Sequence, residues 1–278
     1  MPVGVLGTGA MGAGIVQVAA SSGHEVTACD PSVEALEKAQ IYVRRGLERF
    51  EEKGVVENAE AAYELIRWTG DMDEMREAEA VIEVAPERVG LKKKLFAELD
   101  EMLPPDSLIL TNTSSISITA LASATKRPEK VCGTHFFTPP PLRDAVEVPR
   151  GLLTSDETIG RVKRLITSFG KLPVVVEKDV PGFVANRFLM PILIEACRLL
   201  EEGVAEKEDM DLLMKKGLGF PIGPFELGDM IGLDVALDVI EYVHTELGEP
   251  YYAPPRILKR MVEAGKLGRK SGEGFYGY

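Results

Sequence analysis

Residues 3–14 of the chain read VGVLGTGAMGAG. Within this stretch Gly7, Gly9 and Gly12 have the G-x-G-x-x-G spacing, after a short apolar run and before apolar residues at helical intervals. A second apolar run follows and ends at Asp30. A glycine-rich turn between a strand and a helix lets the backbone approach a pyrophosphate, and the helix N-terminus supplies N–H groups. This order of strand, glycines, helix, strand and acid predicts a Rossmann-type dinucleotide-binding unit.

The residues of this turn also indicate which dinucleotide is bound. We expect the phosphates to lie against Gly7, Gly9, Ala10, Met11 and Gly12. Asp30 follows Gly7 by 23 residues, near the spacing of a carboxylate that accepts from an adenosine ribose hydroxyl. It would repel a 2′-phosphate, and no arginine follows it closely, so the sequence favours NAD over NADP. The alternative is a tight glycine turn in a fold without a dinucleotide, and the complete order of features counts against it.

Strand-like and helical segments alternate over roughly the first 180 residues. The strand-like runs are Ala80–Val84, Leu108–Thr111, Val131–Phe137, Val146–Val148 and Pro173–Val176. Helical stretches between them include Ser32–Lys53, Leu91–Met102 and Thr158–Phe169. This alternation predicts an α/β fold with a doubly wound, mainly parallel sheet. In such a sheet the ligand lies beyond the carboxyl ends of the strands, so the residues after each strand are the candidate site.

The pattern changes after the turn-rich run KDVPG, residues 178–182. The segments that follow are helical, at Phe183–Glu202, Lys207–Lys215, Leu233–Leu247 and Arg256–Glu263. We therefore expect two domains, an NAD-binding domain of residues 1–181 and an all-α domain of residues 182–278. Pro191 should kink the first of these helices or mark a restart. The apolar residues of that helix fit either an internal core or a homodimer surface.

The overall composition excludes some classes of partner. The formal charge is −12, which argues against nucleic-acid binding and against adhesion to an anionic membrane. The three cysteines, Cys29, Cys132 and Cys197, lie far apart and form no CxxC pair, so we expect reduced thiols and no structural metal site. No leader-like segment begins the chain, and the apolar stretch near the start is broken by glycines. We expect a cytoplasmic protein.

One histidine has a setting that suggests chemistry. Residues 134–148 read THFFTPPPLRDAVEV, and His135 stands at the end of a strand-like run. Oxidation of an alcohol by NAD needs a base for the hydroxyl proton, and histidine ordinarily titrates near neutral pH. A carboxylate on the far ring nitrogen would fix the tautomer and stabilise the cation. The three prolines should reverse the chain stiffly, so that Glu147 on the neighbouring strand can supply that carboxylate.

A basic stripe follows Asp30 on the next predicted helix. Lys38, Arg45 and Arg49 fall within about 40° of one another at the helical repeat, and Lys53 lies slightly aside. The stripe could bind the phosphates of a coenzyme, or it could be a solvated helix face with internal pairs such as Glu34 and Lys38. The sequence chemistry alone does not favour either interpretation.

Motifs over nearly the whole length resemble those of the L-3-hydroxyacyl-CoA dehydrogenase family, especially its short bacterial members. They occur in the family's order and near its spacing, and they are GTGAMGAGIVQVAASSGHEV, TNTSSISITALA, HFFTPPP, VEV, PGFVANRFLMPILIEACRLLEEGVA, GLGFPIGPFELGDMIGLD and GKLGRKSGEGFYGY. The resemblance implies an NAD-dependent interconversion of a 3-hydroxyacyl-CoA and its 3-oxoacyl-CoA. It also favours a homodimer through the helical domain.

The resemblance implies roles for individual residues. His135 matches the family's base and Glu147 its carboxylate partner, while Ser114 and Asn186 match residues that place the substrate oxygen. Around the cofactor the matching positions are Glu87, Lys92 and Asn112. By their chemistry alone these residues could equally form turns or solvated charges.

The chain departs from the family pattern after the histidine. The family usually reads HFFNP followed by VPVMKL, whereas this chain has Thr138 and then PPLRDA at residues 140–145. Arg143 and Asp144 bring charges close to the expected acyl pocket, so the identity of the acyl group is open. Arg143 also motivates an alternative substrate, a free polar hydroxy acid such as a sugar acid or carnitine. A non-catalytic NAD-binding protein, as crystallin-like relatives suggest, is the remaining alternative.

Overall fold

A computed structural model describes residues 1–278. The chain divides into two compact units, Met1–Val180 and Pro181–Tyr278. The first combines sheets and helices, and the second is entirely helical. The predicted fold class is confirmed.

The first unit is built on a six-stranded parallel sheet. Its strands are β1 (Val3–Leu6), β2 (Val26–Cys29), β3 (Ile66–Thr69), β4 (Ala80–Glu83), β5 (Leu108–Thr111) and β6 (Val131–Gly133). They lie in the order β3-β2-β1-β4-β5-β6, which is the doubly wound Rossmann order. The central strands β1, β4 and β5 are buried along their whole length, because helices cover both faces.

Helices of this unit connect the strands and cover the sheet. They are α1 (Ala10–Ser21), α2 (Val33–Glu52), α3 (Ala59–Glu64), α4 (Val89–Met102), α5 (Ile118–Ala122) and α6 (Asp156–Ser168). The local sequence accounts for α2: the Ser32 side chain caps its N-terminus by accepting from the Ala35 N–H. Leu36, Ala39, Val43 and Leu47 are buried on one face, at the spacing of an amphipathic helix.

A second sheet begins where the chain leaves the first one. Its strands are β7 (His135–Phe136), β8 (Ala145–Pro149) and β9 (Leu172–Val176), with β7 antiparallel and β9 parallel to β8. We expected a single strand from Val131 to Phe137, and the structure divides that run at Thr134. The Thr134 N–H still donates to the Thr111 carbonyl at the edge of the parallel sheet, and His135 is the first residue that pairs with β8 instead.

The helical unit has its own core. Its helices are α7 (Ala185–Glu201), α8 (Lys207–Leu212), α9 (Pro224–Ile231), α10 (Leu233–Leu247) and α11 (Arg256–Glu263). The restart expected at Pro191 does not occur, since α7 continues through this residue. Apolar side chains before and after it, including Met190 and Ile194, are buried in the core, and their packing outweighs the backbone hydrogen bond that proline removes. No helix of the chain is long and apolar enough to cross a membrane.

The chain's last residues are bound to the core of the helical unit by two buried carboxylates, Asp229 and Asp211, and Asp211 accepts from the Tyr276 hydroxyl at 2.9 Å. Asp229 on α9 accepts hydrogen bonds from the backbone N–H groups of Phe275 and Tyr276, both at 2.8 Å. The Phe275 ring packs against Phe225, with centroids 4.7 Å apart. The glycine- and aromatic-rich terminus is thus part of the packed core.

The three cysteine thiols are predicted to be unreactive in the folded protein. Burial raises the pKa of Cys29 to about 11 and the pKa values of Cys132 and Cys197 to about 12. Because the thiolate is the reactive form, we expect Ellman's reagent at pH 8 to label none of them before unfolding and all three in guanidinium. The exposed reference thiol of an Ala264→Cys variant should react at once. Rapid native labelling of the unmodified chain would contradict this expectation.

Candidate active site

The glycine turn after β1 has the shape that a pyrophosphate requires. Gly7 has φ +103°, and a Cβ there would lie 2.7 Å from the Val84 carbonyl oxygen. A Cβ on Gly12 would lie 1.9 Å from the Gly7 carbonyl oxygen, so only glycine lets α1 start this close to the strand. A Cβ on Gly9 would meet nothing within 4 Å, which leaves open space at the helix N-terminus. These three positions fit the diphosphate of NAD, with Ala10 and Met11 in the first turn of the helix.

Asp30 is held in place at the end of β2. Its Oδ2 accepts from the Thr8 N–H at 2.8 Å and from the Thr8 hydroxyl at 3.3 Å, and its Oδ1 accepts from the Ser32 N–H at 2.9 Å. The carboxylate therefore lies beside the glycine turn in a fixed orientation. This is the placement expected of a group that binds the adenosine ribose and repels a 2′-phosphate.

The structure brings His135 and Glu147 into direct contact. The two residues are directly opposite in the antiparallel pair β7–β8, so their side chains lie on the same face. The imidazole Nδ1 is 2.7 Å from the Glu147 Oε2. Both side chains are buried, and the Phe137 ring packs on the imidazole with centroids 4.9 Å apart.

This contact determines the tautomer of the imidazole. An ionised carboxylate can only accept a hydrogen bond, so Nδ1 carries the proton and donates it to Glu147. In the neutral ring the opposite nitrogen, Nε2, then has a lone pair. A histidine arranged in this way can take a proton at Nε2, and the carboxylate stabilises the resulting cation.

Side chains at the ends of β4 and β5 hold the loop that carries Ser114. The Asn112 Oδ1 accepts from the Phe136 N–H at 2.9 Å, which ties the end of β5 to the strand of His135. Glu87 accepts from the Ser114 N–H at 3.0 Å and from the Thr113 hydroxyl. Glu87 therefore contacts the loop of Ser114, and Asn112 uses its Oδ1 to hold the strand of His135.

The ammonium group of Lys92 is buried, which excludes the solvated-charge alternative, while its place in the dinucleotide site stays a prediction. The Lys92 Nζ lies 2.7 and 3.0 Å from the two Glu83 carboxylate oxygens, 3.0 Å from the Ala85 carbonyl and 3.3 Å from Glu87. The Thr111 hydroxyl donates to Glu83 at 2.7 Å. Lys92 is only 1% exposed, and through Glu83 it links the ends of β4 and β5.

Two residues of this region were not predicted from the sequence. Glu83 is one, and the signal was present, since a charged residue that ends an apolar strand run needs a buried partner. Asp179 is the other: it accepts from the Ser117 hydroxyl and the Thr119 N–H, both at 2.7 Å, and from the Ile118 N–H at 3.1 Å. It fixes the far end of the Ser114 loop, but it lies about 60 residues from its partners in sequence, so no local pattern marks it.

The basic stripe of α2 lines a cleft of about 420 Å³. Lys38, Arg45, Arg49 and Lys53 all contribute to it. The opposite side consists of Pro139, Pro141 and Leu142, from the segment that follows His135. Lys38 pairs with Glu34 at 2.7 Å, whereas the chain gives the other three cations no ion pair. Cations without counterions, facing a cleft in an acidic protein, favour an anionic ligand over the solvated-face interpretation.

Asn186 is the second residue of α7 and belongs to the helical unit. The turn before it is tight, with φ +75° at Gly182 and +47° at Phe183. Phe183 is a buried aromatic residue in a backbone region that bulky side chains rarely adopt, a kind of strain that concentrates at functional positions. The role of Asn186 stays a prediction.

Comparison with known families matches both units. Residues 2–180 match the family described as 3-hydroxyacyl-CoA dehydrogenase, NAD binding domain, and residues 182–278 match 3-hydroxyacyl-CoA dehydrogenase, C-terminal domain. The NAD-binding prediction from the glycine turn is therefore confirmed.

Individual relatives give the same result. The chain is 44% identical over 279 residues to a probable 3-hydroxybutyryl-CoA dehydrogenase of Deinococcus radiodurans, covering 100% of both chains. It is 44% identical over 277 residues to a 3-hydroxyadipyl-CoA dehydrogenase of Escherichia coli, covering 99% of this chain and 58% of that one. Among solved structures, (S)-3-hydroxybutyryl-CoA dehydrogenase PaaH1 from Ralstonia eutropha is similar with a TM-score of 0.94 and 42% identity, covering 100% and 98%. The chain belongs to the NAD-dependent 3-hydroxyacyl-CoA dehydrogenase family.

Proposed function

We propose that this enzyme interconverts a short-chain (S)-3-hydroxyacyl-CoA, such as 3-hydroxybutyryl-CoA, and the corresponding 3-oxoacyl-CoA. The observation that carries the proposal is the 2.7 Å contact between His135 and Glu147 in the same unit as the glycine turn for NAD. Relatives that match this chain over its full length are named for the four-carbon substrate. NAD, when bound, supplies the hydride acceptor for the oxidation.

The protein residues handle the proton of the substrate hydroxyl. His135 takes it at Nε2 in the direction of oxidation and returns it in reduction. Glu147 holds the ring through Nδ1 and stabilises the imidazolium that forms. Ser114 donates a hydrogen bond to the reacting oxygen, and Glu87 keeps the Ser114 backbone in place. For Asn186 we propose the role that the family resemblance implies, which is to orient the substrate.

The charged cleft supports a CoA thioester rather than a free hydroxy acid. A free acid needs one cation for its carboxylate, whereas CoA brings several phosphate charges to the protein. Arg45, Arg49 and Lys53 are cations without ion pairs in the same cleft as Pro139 and Pro141. Arg143, which motivated the free-acid alternative, donates through Nε to the Thr138 carbonyl at 3.0 Å. The buried His135–Glu147 pair likewise argues against a non-catalytic NAD-binding protein, since such a protein has no use for it.

We further propose a cytoplasmic homodimer that forms through the helical unit. Three buried free cysteines fit a reducing compartment. In the helical unit Phe188, Leu213 and Leu218 expose most of their apolar side chains. Exposed apolar side chains can form an interface, and the family resemblance favours one in the helical domain, so we take these residues as the candidate interface.

The histidine and the glutamate can be tested directly with NADH and acetoacetyl-CoA. His135→Gln should lower kcat about 10³-fold, because general acid–base catalysis contributes about 10²–10⁴-fold. Glu147→Gln keeps the shape, and its amide oxygen can still accept from Nδ1–H. Because a neutral amide does not stabilise the imidazolium, this variant should also lose activity, to a smaller extent. NADH binding, followed by fluorescence, should be unchanged in both. Full turnover by His135→Gln, or no turnover by the unmodified enzyme, would refute the proposed function.

The cleft is tested by removing one cation. Arg49→Ala should raise KM for acetoacetyl-CoA about tenfold, since a charge-assisted hydrogen bond contributes about 1.5–3 kcal/mol. The truncated N-acetylcysteamine thioester lacks the nucleotide, so its KM should not change. Lys94→Ala, at an exposed cation on α4 that pairs with Glu98, is the matched control and should leave both constants unchanged. Equal effects on the two thioesters would show that the cleft does not bind the nucleotide.

The assembly is tested by sedimentation velocity. The unmodified chain should sediment as a dimer, and a Leu213→Glu/Leu218→Glu variant as a monomer, because charges are costly at a buried interface. Leu152 lies in the first unit and is 81% exposed, so Leu152→Glu provides the control and should stay dimeric. A monomeric unmodified enzyme, or loss of the dimer only in the Leu152 variant, would contradict an interface in the helical unit.

A further inference from the structure

Both sides of the basic cleft rest on the same helix, α1. Gln17 of α1 contributes to the lining of the cleft and is 3% exposed. Gly14 lies three residues earlier, on the same face of the helix. The cofactor turn forms the beginning of this helix, so one element supports both the dinucleotide and the cleft.

The proline side of the cleft packs onto Gly14. A Cβ on Gly14 would lie 2.7 Å from the Cδ of Pro140 and 2.9 Å from its Cγ, so the proline ring fills the space that a side chain would take. The neighbours of Pro140 on either side, Pro139 and Pro141, line the cleft. The Thr138 hydroxyl lies 3.0 Å from the Met11 sulfur, and the Lys171 Nζ lies 3.4 Å from the Pro141 carbonyl. This side is therefore attached to α1 and anchored from both ends.

The basic side of the cleft packs onto Gln17. A Cβ on Gly46 of α2 would lie 2.2 Å from the Gln17 Oε1 and 2.5 Å from its Cδ. Only glycine allows α2 to lie this close to α1 while Gln17 stays buried. Gly46 follows Arg45 directly and lies one turn before Arg49, so the position of the two arginines depends on this contact.

We infer that Gly14 and Gly46 are positioning residues that set the width of the substrate cleft. Gly14 fixes the distance of Pro139 and Pro141 from α1, and Gly46 fixes the distance of Arg45 and Arg49 from the same helix. The inference rests on the proposed function, since it takes the ligand of the cleft to be the nucleotide part of CoA. Neither glycine contacts the reacting atoms. Gly14 acts through the Pro140 ring that packs on it, and Gly46 acts through the Gln17 side chain.

Adding a methyl group at either position should change the cleft more than the cofactor turn. At Gly14 the proline ring must retreat by roughly 0.7 Å to restore an ordinary 3.4 Å contact. A methyl group at position 46 would displace the buried Gln17 amide, and the cleft is the open space into which the amide can move. Displacements of this size in a substrate-positioning element can reduce efficiency by up to about a hundredfold.

The test measures kcat/KM for acetoacetyl-CoA and for its N-acetylcysteamine thioester in Gly14→Ala and Gly46→Ala. The kcat/KM for acetoacetyl-CoA divided by the kcat/KM for the N-acetylcysteamine thioester should fall about tenfold or more in each variant, while the Kd for NADH stays unchanged. A purely structural role would lower both values together. Removal of the side chain that collides with the new methyl group should restore the ratio. The double variant for Gly14 is Gly14→Ala/Pro140→Ala, and the double variant for Gly46 is Gly46→Ala/Gln17→Ala. The double variants also provide a measurement if a single variant folds poorly.

Gly160→Ala is the matched control. Gly160 lies inside α6, where a Cβ would contact only the Arg164 guanidinium, at 3.6 Å. In Gly160→Ala the ratio of the kcat/KM values for the two thioesters should equal that of the unmodified enzyme. An unchanged ratio in the Gly14 and Gly46 variants, with a fall in Arg49→Ala, would overturn the inference and leave the proposed function standing. An unchanged ratio in the Gly14, Gly46 and Arg49 variants would overturn the inference together with the assignment of the cleft to the CoA nucleotide, whereas the proposed function fails only if the unmodified enzyme does not turn over acetoacetyl-CoA or His135→Gln keeps full turnover.

Discussion

The close packing of α1 against the first strand is the constraint on which the rest of the first unit depends. It requires glycine at Gly12, where a Cβ would enter the Gly7 carbonyl oxygen at 1.9 Å. Because the helix starts so near the strand, its N-terminus faces the space where the diphosphate of NAD fits. The later turns of the same helix receive Pro140 and face Gln17 toward α2. Helix α1 thus begins at the cofactor turn and packs against both the segment after His135 and the basic helix α2.

Buried charge at the strand ends supports the site rather than the stability of the fold. A buried ion pair is weak evidence for stability, since the loss of hydration offsets most of the attraction. Here Lys92 satisfies both oxygens of Glu83 and also holds the Ala85 carbonyl. The Lys92 Nζ also lies 3.3 Å from Glu87, which contacts the Ser114 loop. The ion pair therefore fixes the orientation of the Ser114 loop through Glu87. An apolar pair of the same volume would not do so.

The sequence predicted the parts of the site that depend on local patterns. The glycine turn, Asp30 and the cross-strand position of His135 and Glu147 follow from spacing and strand alternation. The division of the run Val131–Phe137 between two sheets was not predicted, because Val131, Thr134, Phe136 and Phe137 all favour strands and tertiary pairing separates them. Strand β3, which reads IRWT, has the same length as β1 but is too polar to be recognised without its neighbour β2. The contacts Gly14–Pro140 and Gly46–Gln17 join distant segments and leave no local pattern.

The departures from the family pattern after His135 lie where the fold tolerates them. The register of β7 and β8 is set outside the turn, by the buried pair Phe136 and Val146 and by the pairing of β8 with β9. A slip of one residue would move Glu147 to the opposite face of the sheet, away from His135. The changes at residues 138–145 alter side chains but keep the number of residues between the two strands. They therefore change the lining of the cleft, which includes Pro139, Pro141 and Leu142, and leave the contact between the imidazole and the carboxylate in place.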